Sequence, residues 1–340
     1  MIDLLVAGGG PAGLATALYA SRAGLSVIVR DPRAGVIDKA CGEGLMPGAL
    51  TALADLHVDP GGHPITGIRY VAGGRYAEAP FRHGPGRGVR RTVLHAAMRE
   101  AAIEAGATIE HKSVVDVQQD PTGVTVDGTR AGYLIAADGL HSALRRRLDL
   151  DRSPSRFRRF GLRRHYATTP WTSYVEVHWS DVAEAYVTPV AADLVGVAVL
   201  TATRGPFDQH LRRFPGLRER LADARPVGDV MGAGPLRQRA RAQVAGRTLL
   251  VGDSAGYVDA LTGEGVALAM RQARAAVDAI VAGKPERYEQ EWRNLSRRYR
   301  LMTSSLVGMT RLTSVRRAIV PAAERLPGVF ATAVHTLARP

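Results

Sequence analysis

The sequence predicts an α/β fold: a parallel-sheet unit, interrupted by an antiparallel β-sheet and followed by C-terminal helices. Three observations predict it. The chain opens as strand, glycine turn, helix and second strand. Its middle alternates apolar and polar residues at hairpin spacing. An apolar run, Thr248-Leu249-Leu250-Val251, then returns the chain to the first unit.

Taken in order, residues 2–7 read as a strand and Gly8 to Gly13 as a tight turn into a helix that Gly24 stops. Ser26 to Arg30 is the second strand, ending at Asp31. Residues 32–48 are rich in Gly and Pro and read as a loop, followed by a helix over 48–56. Two strands surround Gly73-Gly74, and a helix over 91–105 ends at Gly106. Short strands are expected near 108–118, 122–127 and 132–137. Residues 174–179, 184–188 and 194–200 alternate as strands, and 206–224 read as one helix. The Ala-rich stretch 263–282 and most of 286–340 read as helical.

Length and composition narrow the function. The 340 residues suggest roughly two domains at ~150 residues each. A hydrophobic share of 46% with 23% charged residues excludes a mainly disordered chain. The single cysteine excludes a disulfide framework and Cys-based zinc or iron–sulfur sites. No stretch approaches the ~20 apolar residues of a membrane span. A first strand from Ile2 leaves no room for a signal peptide, so a cytoplasmic chain is expected. The net charge is +13, but 42 of the 45 basic residues are Arg, which reads as a compositional bias. Aromatic residues make up only 6%, which argues against base stacking and a nucleic-acid partner.

The chemistry starts at Gly8-x-Gly10-x-x-Gly13, with Pro11 and Ala12 inside it and Asp31 ending the second strand. In this Rossmann-like pattern the first glycine makes the turn and the second admits a pyrophosphate. The third lets helix and strand pack closely, and the acid reaches ribose hydroxyls. The pattern does not choose between NAD and FAD. Two later strand ends do: Ala137-Asp138-Gly139 and Val251-Gly252-Asp253-Ser254-Ala255-Gly256, the latter running on to Thr262-Gly263-Glu264-Gly265 and a helix.

With these three motifs in order, the chain resembles the FAD-dependent aromatic hydroxylase (monooxygenase) and geranylgeranyl reductase superfamily of flavoproteins over residues 1 to about 282. The resemblance implies a Rossmann-like FAD-binding domain, an inserted antiparallel β-sheet substrate domain and C-terminal helices. It implies that the first glycine motif holds the ADP half of FAD. Asp138 and Gly139 would meet the pyrophosphate side, and Asp253 the ribityl chain. The helix after Gly263, Glu264 and Gly265 would point its N-terminus at the flavin, stabilising negative charge on the reduced ring. Arg91, opening Arg91-Thr92-Val93-Leu94, matches the family's cofactor-contacting arginine, with Arg87 and Arg90 as nearby competitors. The expected division is 1–64, 83–150 and 242–285 for FAD, 65–82 and 151–241 for substrate, and 286–340 as a helical extension.

Lys39-Ala40-Cys41-Gly42-Glu43-Gly44 resembles the Cys-Gly loop of the reductase branch, as does Thr262-Gly263-Glu264-Gly265. Cys41 reads either as a thiol beside flavin and substrate or as a small buried filler. Glu43 reads as a solvated loop acid in preference to a polar partner. Ala260 stands where both branches usually carry Pro, and Tyr186-Val187-Thr188-Pro189-Val190 lacks the Trp and Phe of the reductase branch. Tyr186 is the pocket candidate. Tyr174, Glu176 and His178 share one strand face and are expected to face solvent, as are the nine Arg between 145 and 164. The ten His are scattered and read as structural. The helices near 299–320 mix apolar residues with Arg. They are expected to pack on the first unit, with peripheral membrane contact as the other reading.

The expected function is an FAD- and NAD(P)H-dependent oxidoreductase. The first reading is a monooxygenase that uses O2 to hydroxylate a phenolic, polyketide-like or other apolar small molecule through a flavin C4a-hydroperoxide. The alternative is a flavin-dependent isoprenoid double-bond reductase, and a third is a flavin-free NAD-binding regulatory or nucleic-acid-binding protein.

Overall fold

The computed structural model describes residues 1–152 and 157–338. The expected substrate segment 151–241, the arginine run and the C-terminal extension each include residues outside that set: 153–156 and 339–340.

The first sheet carries five parallel strands. Ile2–Ala7 lies between Val27–Arg30 and Thr129–Ala136, with Thr108–Glu110 and Thr248–Leu250 outside them. The apolar runs of the inner strands Ile2–Ala7 and Thr129–Ala136 are buried in the core, as parallel strands require. Helices Pro11–Arg22 and Gly265–Val281 pack together over this sheet. Strand order reverses between Ile2–Ala7 and Thr129–Ala136, and ligands of open α/β sheets bind outside such a switch point. The first glycine motif and the Asp138-Gly139 turn leave the sheet there, tied by Ala137 N donating to Ala7 O at 2.8 Å.

The second sheet has seven strands in the order Arg225–Ala233, Phe160–Ala167, Leu194–Thr201, Ala183–Ala191, Tyr174–Trp179, Gly67–Ala72 and Arg75–Pro80. Only the Tyr174–Trp179/Gly67–Ala72 pair is parallel. One face buries Ala183, Ala185 and Val187 under Phe207, Leu211, Phe214 and Leu217. Register places Arg163, His165, Tyr186, Val177 and Tyr70 on the other face, which looks toward the cofactor loops and the C-terminal helices.

The structure corrects several expectations. Residues 206–224 form two short helices, Phe207–Leu211 and Pro215–Arg220, because Pro215 restricts Phe214 and offers no N–H. The strand expected over 108–118 stops at Glu110. The N–H groups of Val115 and Asp116 turn to the Asp127 carboxylate instead of a ladder partner. Helix Arg287–Met309 packs on Gly265–Val281, but Thr313–Arg325 and Pro327–Ala338 cover the second sheet rather than the first unit. The apolar face of Ile68, Tyr70, Val177 and Trp179 is what they bury, through Val320 and Phe330.

Of the polar positions expected to be solvated, Arg146, Arg147, Arg152 and Arg158 are exposed, but others are interior. Glu176, His178, Arg145, Arg159 and Arg163 are buried, each within a hydrogen-bonded network. No described helix is long and apolar enough to cross a membrane.

Candidate flavin and substrate site

The glycine motif has the shape its spacing predicts. A Cβ on Gly8, at φ +109°, would sit 2.4 Å from Ala137 O, and one on Gly13 would sit 1.9 Å from Gly8 O. A Cβ on Gly10 would meet open space, so the chain is bare where the motif is expected to admit a pyrophosphate. Pro11 and Ala12 open the helix, Ala12 Cβ lying 2.7 Å from the Cβ position of Gly252. Asp31 is buried and faces its own chain. It accepts from Gly9 N at 2.8 Å and from the Arg33 side chain at 2.8 and 2.9 Å. These contacts outweigh burial and hold the carboxyl below its ordinary range.

Several buried polar atoms at the switch point have no partner. Arg91 Nη1 and Asp138 Oδ1 are among them, and burial lowers the Arg91 guanidinium from its ordinary value. Asp138 Oδ2 accepts from Leu144 N at 3.0 Å, and Gly139 takes φ +83° as the turn leaves the strand. Arg145, wholly buried, donates to Ser254 O at 2.9 Å and Leu140 O at 3.2 Å, and so joins the two turns. Orphaned donors and acceptors around a bare glycine turn fit a dinucleotide such as FAD.

The Cys41 loop closes over this cradle. Lys39 Nζ lies 3.2 Å from Asp253 Oδ2, and a Cβ on Gly263 would lie 2.9 Å from Met46 Cε. Glu43 anchors the loop and is buried, not solvated as expected. It holds φ +59°, a left-handed conformation uncommon outside glycine. Its Oε1 accepts from Arg91 N at 2.8 Å, its Oε2 lies 2.6 Å from His165 Nε2, and its N–H donates to Cys41 Sγ at 3.4 Å. Arg163 Nη1 lies 3.0 Å from His165 Nδ1 and, being a guanidinium, can only donate. His165 therefore carries its proton on Nε2 and donates to Glu43. Thr188 donates to Gly42 O at 2.7 Å, clamping the loop to the second sheet. Cys41 keeps a partly open surface, while dense packing and the Glu43 carboxylate push its thiol above the ordinary value.

Glu264 and Gly265 open the last helix of the first unit. Glu264 Oε2 has no partner, and burial raises its carboxyl to about 7. Tyr186 does not offer a free hydroxyl: it donates to Leu261 O at 3.1 Å. Beside it Glu184 accepts from Arg159 at 2.7 Å and from Arg316 at 2.8 Å, and burial raises the neighbouring Asp259 to about 6. Glycine spacing points to Cys41 and Glu43. His165, Arg159 and Arg316 carry no local signal, because their carboxylate partners lie 122, 25 and 132 residues away in sequence. Among the described residues no group of three or more His, Cys, Asp and Glu suits a metal ion.

This arrangement defines a flavoprotein oxidoreductase. The chain matches the family described as "FAD binding domain" over residues 1–284 and belongs to it, within the aromatic hydroxylase and geranylgeranyl reductase superfamily. It is 31% identical over 331 residues to the menaquinone reductase of Mycolicibacterium smegmatis, covering 86% of this chain and 80% of that protein. It is 27% identical over 318 residues to digeranylgeranylglycerophospholipid reductase 1 of Methanothermobacter thermautotrophicus, covering 84% and 78%. Its fold is shared with a flavin-dependent brominase, at TM-score 0.83 and 18% identity over 99% of this chain and 94% of the other. A halogenase in complex with phloroglucinol and FAD also shares it, at TM-score 0.72 and 18% identity over 86% and 72%. FAD is thus the cofactor the cradle takes.

Proposed function

We propose that the protein reduces carbon–carbon double bonds of a polyprenyl-type lipid, taking electrons from NAD(P)H. The observation that carries this reading is the Cys41 loop, locked over the FAD cradle by the buried Glu43–His165 contact of 2.6 Å. The reductase names of the relatives support it.

Bound FAD would supply hydride. The chain's own part is to hold a proton for the second carbon. A thiol kept protonated by dense packing and a nearby carboxylate is such a donor. Cys41 Sγ would give its proton to the alkene carbon opposite the one that accepts hydride, and solvent would return a proton to the thiolate. His165 and Glu43 do not touch the substrate in this scheme; they fix the loop and its sulfur. Asp253 and Lys39 would hold the cofactor's linking chain, and Arg91 and Asp138 its polar edge.

The oxygen-using reading is favoured by the residues at 186–190, which lack the Trp and Phe of the reductase branch. The two part in one experiment. Holoprotein is reduced under nitrogen and given a geranylgeranyl lipid, and the product is weighed by mass spectrometry. Two added hydrogens per double bond without O2 is the expected result. No anaerobic product, with one oxygen atom gained in air, would replace the reductase by the monooxygenase.

A further inference from the structure

Helix Arg287–Met309 touches the candidate site with one face and solvent with the other. Tyr299 donates to Asp259 O at 2.9 Å, and Thr303 lies 3.1 Å from the Thr262 hydroxyl. On the opposite face Leu301, Ser305, Gly308 and Met309 follow at helical spacing and are exposed, and Leu312 continues them into the next turn. Leu301 is 68% exposed, Met309 49% and Leu312 60%, an unusual amount for large apolar side chains so close together. Arg297 and Arg298 precede this stripe by one turn, and Arg311 lies within it; all three are exposed.

The charge around the stripe has one sign. From Trp292 to Ala323 there is no Asp or Glu, but there are seven Arg. Arg293 pairs with Glu289, Arg316 with Glu184 and Arg317 with Asp181. Among the described residues Arg297, Arg298 and Arg311 have no carboxylate within salt-bridge distance. Arg311 instead stacks on Phe157, 4.7 Å from the ring centroid. Apolar side chains flanked by unpaired arginines complement an anionic bilayer: the leucines enter the headgroup boundary and the guanidinium groups meet lipid phosphates.

We propose that the outer face of residues 297–312 docks the protein on an anionic membrane surface, directly above the candidate site. The proposal rests on the lipid-substrate reading for its purpose, but not for its test. Flavin-loaded protein is floated with vesicles of phosphatidylcholine alone or with a third phosphatidylglycerol, without substrate. Binding to the anionic vesicles only, weakened by high salt, is expected. The triple variant R297Q/R298Q/R311Q should weaken partitioning on the order of a hundredfold, given the usual attraction per basic residue. L301S/M309S/L312S should weaken it as well, and both variants should keep the flavin spectrum and reduce detergent-dispersed substrate as before. Equal binding to both vesicle types, no binding, or variants that bind like the parent would overturn the proposal. So would light scattering that shows the leucine variant turning a dimer into a monomer, since the stripe would then join two copies of this chain. An inactive protein that still floats with anionic vesicles would sink the reductase reading and leave docking intact.

Discussion

Cys41 and Glu43 stand two residues apart and do different work. The thiol has an open side and the carboxylate has none. Cys41→Ala should therefore retain FAD and lose turnover on the order of a hundredfold, as removal of a positioned proton donor does. Flavin absorbance and steady-state rates measure the two halves of that statement; unchanged rates would return Cys41 to packing. Glu264 gives a pH prediction. Its carboxyl is raised to about 7 by burial, so the folded form binds more protons than the unfolded form in the window above the ordinary value of 4.5. Stability contributed by this group is full below that value and is lost as pH rises toward 7. Glu264→Gln should remove the decline, raising stability above pH 7 by up to about 3 kcal/mol in urea titrations. Glycine spacing made the Cys41 loop legible, whereas His165 was read as one scattered histidine. Its meaning depends on Glu43, 122 residues earlier, and no local pattern encodes that distance.

At the scale of elements, strand Leu194–Thr201 contributes mainly an absence. A Cβ on Gly196 would lie 2.9 Å from Glu43 Oε2, so the carboxylate fits because that position carries no side chain. Gly196→Ala should displace the Glu43–His165 contact and lower turnover roughly tenfold at little cost in FAD occupancy, since the cradle is built elsewhere. Equilibrium dialysis of FAD beside kinetic assays checks both. Strong periodicity and glycine stops made the parallel strands and long helices readable. The misreadings have local causes. Pro215 cut one expected helix, Asp127 drew backbone donors away from one expected strand, and strand polarity was mistaken for exposure. Alternation reports that two faces differ; it does not report which of them meets water, and here both are covered.

At the scale of the whole molecule, helices Thr313–Arg325 and Pro327–Ala338 belong to the second sheet's core. Arg316 reaches from helix Thr313–Arg325 to Glu184, which is fully buried. Arg316→Ala should cost about 3 kcal/mol, because a buried carboxylate loses a partner, and thermal melts should show it. Removal of residues 313–340 should expose Ile68, Tyr70, Val177 and Trp179 and send the protein into aggregates, as size-exclusion chromatography would show. The helical nature of this tail was plain from its composition. Its destination was not, because an amphipathic helix specifies an apolar partner without naming which one.

The first parallel sheet has a consequence for biosynthesis. Its central strand is made first, but its neighbour Thr129–Ala136 and the strand Thr248–Leu250 emerge much later, and helix Gly265–Val281 later still. A ribosome-bound chain of the first 240 residues would carry the whole Gly8–Gly13 motif and Asp31 and yet lack Asp253 and the helix Gly265–Val281, which we propose aims at the ring. Residues up to Val281 would have to emerge before the vitamin-derived cofactor has its full seat, so the shorter nascent chain cannot be steadied by its ligand.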